Sequence, residues 1–69
     1  MFYRVDLTSL PMPERIAACK RMSEGGAWDV FEELTDSGLV SAKVMWNLPE
    51  DFESSSCFPK GCKCVLLGK

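Results

Sequence analysis

Four cysteines stand in a chain of 69 residues, and they are the side chains best equipped for chemistry. Cys57, Cys62 and Cys64 lie close together, while Cys19 stands apart. Zinc asks for four soft ligands held tetrahedrally, usually as two C-x₂₋₄-C pairs. The spacing here is C-x₄-C-x-C, and the chain has no histidine to complete a mixed site. A small structural zinc protein is one reading, and buried or half-exposed free thiols are the simpler one. No secretion signal is visible at the N-terminus, so disulfides are not expected.

The absence of histidine removes the commonest general base and every nucleophile–His pair. Glu32-Glu33 and Glu50-Asp51 are adjacent carboxylates, but neighbours on a helix point about 100° apart and loop carboxylates are ordinarily solvated. Gly25-Gly26 lacks the Lys and Ser/Thr of a phosphate loop. Nothing in the sequence calls for a cofactor, and the expectation is a protein that is not an enzyme.

Charge is more informative by position than in sum. Eight bases and ten acids give a net charge of −2 and a pI near 4.9, a balance without general attraction for polyphosphate. From Glu24 to Asp36 there are five acids (Glu24, Asp29, Glu32, Glu33, Asp36) and no base, and Glu50, Asp51 and Glu53 form a second acidic group. Bases gather at Arg15, Lys20 and Arg21, and again at Lys60, Lys63 and Lys69.

These groups need elements to hold them. At this length the chain makes one domain, residues 1–69, of ordinary globular composition with 46% hydrophobic residues. Residues 2–8 alternate, with Tyr3, Val5 and Leu7 on one side, as a half-buried strand does. Pro13 and Glu14 open a helix running to about Ser23, striped by Met12, Ile16, Cys19 and Met22. Ala27, Val30, Phe31 and Leu34, at i, i+3, i+4 and i+7, predict a second helix from Ala27 to about Asp36, with Gly38 as its left-handed end. Residues 39–48 alternate again, placing Val40, Ala42, Val44, Trp46 and Leu48 inward. Residues 62–67 read as a last strand, antiparallel to the one before it.

The expected fold is therefore α+β in the order β-α-α-β-β, a three-stranded, mainly antiparallel sheet with two helices packed on one face. The second helix would carry an acidic outer face, with Trp28 at its edge. Trp is the residue most enriched at binding hot spots. The connection from Pro49 to Gly61 is long for a small domain and carries Phe52 and Phe58 among acids and serines.

Segment 31–40 (FEELTDSGLV), followed by a strand, resembles the end of the recognition helix and the wing of winged-helix domains. The order strand, two helices, long hairpin is similar as well. That resemblance implies a nucleic-acid-binding protein using a basic face of Arg15, Lys20, Arg21, Lys60 and Lys63. Acids nevertheless occupy the would-be recognition helix, where base contact needs Lys, Arg, Asn or Gln. The leading expectation is a small cytoplasmic, non-enzymatic protein-binding factor, an inhibitor or adaptor of a size that suits a phage or mobile element. Its partner would be another protein with a basic surface, not nucleic acid or a membrane. Its contact residues would be Trp28, Asp29, Glu32, Glu33, Asp36, Phe52 and Phe58. Leu39, Met45 and one face of the last strand leave apolar area that a homodimer would cover.

Overall fold

The computed structural model describes residues 1–25, 27–46, 52 and 54–68, with the side chain of Trp28 outside the description. Five elements follow one another: β1 (Phe2–Asp6), α1 (Met12–Glu24), β2 (Ala27–Thr35), β3 (Gly38–Trp46) and β4 (Cys64–Gly68). The strands form one four-stranded sheet in the order β2-β3-β1-β4, every neighbouring pair antiparallel. The fold is α+β, but the expected β-α-α-β-β order is wrong. Among the described residues there is one helix instead of two, and there are four strands instead of three.

The error lies in residues 27–35, which are a strand. Coiled as a helix, this segment would set Asp29 against Glu32 and Glu33, and Asp36 against the same two, at i+3 or i+4. All four pairs carry like charges, and such pairs destabilise a helix. Extended, the acids alternate sides, and Asp29 and Glu33 on one side stand about 13 Å apart. The turn decides the rest. Only Asp36 and Ser37, both with negative φ, lie between the strands, and Gly38, paired with Thr35, sits at φ 94°, as in a type I turn closed by a left-handed glycine. Ser37 N–H donates to Thr35 Oγ1 at 3.1 Å within it. Gly38 is left-handed as expected, but it closes a β-hairpin and not a helix. The winged-helix likeness goes with the second helix, since its recognition element is this hairpin strand.

A bulge follows the turn. Glu33 pairs with Ser41 and Leu34 with Leu39, so Val40 is an extra residue on β3. The bulge turns Leu39 inward, where it is buried, and leaves Val40 half-buried, the reverse of simple alternation. Its carbonyls are both satisfied: Val40 O accepts from Leu7 N–H at 2.9 Å, and Leu39 O accepts from Arg15 Nη1 at 2.7 Å. Arg15 also donates to Leu10 O at 2.7 Å and Thr8 O at 3.2 Å. This arginine ties the start of α1 to β3.

α1 begins with Pro13 in its first turn and Glu14 beside it, as the dipole favours. It buries Ala18, Cys19 and Met22, while Met12 and Ile16 of the expected stripe stay exposed. At its C-cap, Gly25 lies against the 52–58 segment, where an added Cβ would come within 2.6 Å of Cys57 Cβ. No other residue fits that contact.

The two last strands do not pair. β1 lies between β3 and β4, antiparallel to both, so β3 and β4 run parallel. A connection between parallel strands must travel the length of the sheet, which explains why the stretch after Trp46 is long. Its described part covers the same face as α1. Phe52 is fully buried, with ring centroids 4.8 Å from Tyr3, 4.6 Å from Trp46 and 5.0 Å from Phe58, the last edge-on at 87°. The core thus joins Tyr3, Val5 and Leu7, the inner residues of β3, the buried side of α1, and Phe52, Cys57 and Phe58.

Replacing Phe52 by alanine is expected to cost about 3–5 kcal/mol, comparable with the whole stability of a domain this small. The chain should lose its cooperative thermal transition by circular dichroism, while Phe52→Leu keeps it. An unshifted melting curve for Phe52→Ala would contradict the placement.

Candidate partner-binding surface

The pairing register sorts the strand residues into two faces. Val5, Ala42, Val44, Val30 and Glu32 share the covered face, under α1 and the 52–58 segment. Arg4, Asp29, Phe31, Glu33, Ser41, Lys43 and Met45 share the other, over which no described element lies. The acids expected on one helix face are therefore divided. Asp29 and Glu33 stand on the open face, Glu32 on the α1 side, and Asp36 in the hairpin turn.

Glu33 is neutralised from within. Arg4 Nε donates to Glu33 Oε1 at 2.8 Å and Arg4 Nη2 to Oε2 at 2.9 Å, a two-pronged pair. Ser41 Oγ, small enough to let the arginine reach across β3, donates to Oε1 at 2.8 Å. These hydrogen bonds, from Arg4 first and Ser41 second, hold the Glu33 carboxyl down at about 2 and raise the Arg4 guanidinium. It is the one ion pair among the described residues. Beside it, Lys43 Nζ lies 4.8 Å from the centre of the Phe2 ring. At the far end of β1, the hydroxyl and N–H of Thr8 both donate to Asp6 Oδ1, at 2.6 and 2.9 Å, and lower its pKa.

Asp29, Glu32 and Asp36 are exposed. They surround two large apolar side chains of the same strand, Phe31 at 52% exposure and Leu34 at 69%. An open groove of about 490 Å³ runs between β2 and α1, lined by Ile16, Cys19, Lys20, Ser23, Val30, Phe31, Glu32 and Leu34. Trp28 belongs to β2, and its side chain, like Glu50, Asp51 and Glu53, lies outside the described residues.

Phe52 and Phe58 are not available at the surface: both are buried, and they anchor the long connection. The expected basic face is also broken up. Arg15 spends its guanidinium on three carbonyls, Lys20 lines the β2 groove, and Arg21 and Lys60 line a separate groove of about 200 Å³ with Glu14. The apolar area open to a second copy loses Leu39 but includes Val65, Leu66 and Leu67 of β4, all more than 40% exposed.

No disulfide joins the four cysteines, and no three metal-ligating side chains converge among the described residues. Burial, with the Glu32 carboxylate adding to it, pushes the Cys19 thiol up to about 11. No helix among the described residues is long and apolar enough to cross a membrane. Comparison with family models, with curated proteins and with solved structures returned no match.

Glu33 gives a pH signature. Its carboxyl falls from the ordinary 4.5 to about 2 on folding, so its contribution is complete above about pH 4.5 and is lost as pH drops towards 2. Glu33→Gln should melt lower than the parent at neutral pH, and the gap should close in that acid window; parallel melting curves across it would refute the pairing. The thiols give a second check. Cys62 and Cys64, half-buried, should react with an aromatic disulfide reagent in the native state, whereas Cys19 and Cys57, buried, should react only after unfolding.

Proposed function

We propose that this chain is a small, non-enzymatic protein-binding factor, an inhibitor or adaptor, acting through its edge strand β2. The observation that carries this reading is the exposure of Phe31 and Leu34 on one edge strand, ringed by the unpaired carboxylates Asp29, Glu32 and Asp36. An edge strand with large exposed apolar residues invites association, and the acids select a basic partner through complementary charge.

The surface differs from the one the sequence predicts, although three of its residues are shared. An acidic helix is replaced by an acidic strand edge. The aromatic contribution comes from Phe31 rather than from Phe52 and Phe58. Trp28 belongs to the same strand. Four thiols without a disulfide suit a reducing, cytoplasmic setting.

Immobilised on a resin through its C-terminus, the chain should retain a protein from the host lysate. The double variant Phe31→Ala, Asp29→Lys changes only exposed side chains and should keep the fold by circular dichroism. It should lose about 2 kcal/mol or more of the binding, as a hot-spot change does. Equal retention by parent and variant would remove the proposal.

A further inference from the structure

We infer that the occupant of this surface is an extended, basic segment of the partner protein. It adds as a fifth strand along β2 and lays alternate side chains into the groove beside α1. This rests on the protein-binding reading and specifies its mode.

The first observation is the edge itself. β2 is nine residues long, where strands of five or six are usual, and among the described residues it pairs only with β3. Its register is regular from Asp29 to Glu33, and neither proline nor glycine interrupts it from Ala27 to Thr35. Proline and lysine, two of the residues that blunt an edge, are absent from β2; its guards are the bulges that flank the regular stretch and the carboxylates of Asp29, Glu32 and Glu33, which turn away acidic and uncharged strands.

The second is the shape of the apolar surface. Val30 and Leu34 face the α1 side and Phe31 the open side, yet Phe31 also borders the groove. The exposed surface thus wraps round the strand edge. A helix seated between Ile16 and Leu34 would leave the open-face side of Phe31 bare, whereas a chain lying along the edge touches both sides.

The third is charge. Asp29 on one face, Glu32 on the other and Asp36 at the turn meet any added strand with carboxylates; among the described residues Lys20 is the one base lining the groove, and Lys43 lies one strand further in, opposite Phe31. A second copy pairing through its own β2 would bring acids to acids, which is unfavourable across strands. A segment alternating apolar and basic residues lays its apolar side chains along the groove and its bases on the open face beside Asp29.

The probe is a capped seven-residue peptide of alternating valine and lysine, titrated into the ¹⁵N-labelled chain. Amide shifts should concentrate at residues 29–35, and those amides should exchange more slowly with solvent. The same peptide N-methylated at alternate residues loses strand pairing but keeps its side chains, and should bind about tenfold more weakly or worse. A valine–glutamate peptide should behave likewise. Leu34→Lys, at an exposed position, should weaken binding by about tenfold, whereas Leu66→Lys on β4 should not. Equal binding by the N-methylated peptide, shifts centred away from β2, or no binding of the parent peptide at millimolar concentration would overturn strand addition. Loss of strand addition with β2-dependent retention of a lysate protein intact would leave the protein-binding reading standing, so the two fail separately.

Discussion

A strand paired along both edges dictates what its neighbours can do. β1 takes β3 on one side and β4 on the other, so the chain leaving Trp46 must return to the opposite end of the sheet before β4 can begin. The return is not idle. Phe52 drops between Tyr3 and Trp46, and Cys57 comes to rest against Gly25 at the end of α1. Helix and return segment thereby share one face of the sheet. Between them they use up the large buried side chains, and no described element is left to cover the other face.

Much of this was legible in the sequence. Tyr3, Val5 and Leu7 alternate as they should, α1 is within a residue of its expected start and end, and Ala42, Val44 and Trp46 are inward. What was illegible depends on partners far away in the chain. Residues 27–35 carry both a helical and an alternating pattern. The choice falls to β3, which offers Ser41 beside Glu33, and to Arg4, 29 residues earlier, which neutralises it. Phe52 looks like a loop aromatic until Tyr3 and Trp46 are known to flank it. Arg15 looks like part of a basic face until the carbonyls of Thr8, Leu10 and Leu39 are in place. The Asp36-Ser37-Gly38 turn was the one local signal that would have revealed the hairpin.

The two edges of the sheet are unlike. β2 is long and acidic, with its apolar residues separated by carboxylates. β4 is short, carries no charge from Cys64 to Gly68, and exposes Val65, Leu66 and Leu67 in succession. Uncharged apolar edges tolerate many neighbours, including a copy of themselves, whereas charged edges reject most of them. In the proposed binding mode, selectivity belongs to β2. The internal pairing of Glu33 with Arg4 withdraws a fourth carboxylate from the open face, where Lys43 stands between Arg4 and Phe31 in the register.

The central position of β1 also bears on how the chain is made. It is made before both of its partners, residues 41–45 and 64–68. The β2–β3 hairpin can close on its own through the Asp36-Ser37 turn, but the strand that organises the sheet waits for β4 to be made. Contacts so distant in sequence place folding towards the millisecond-to-second range instead of microseconds. During that interval Tyr3, Val5 and Leu7 stand uncovered on a nascent chain. Exposure of these side chains before β4 pairs depends on how fast the distant contacts form, a property separate from the stability of the finished domain.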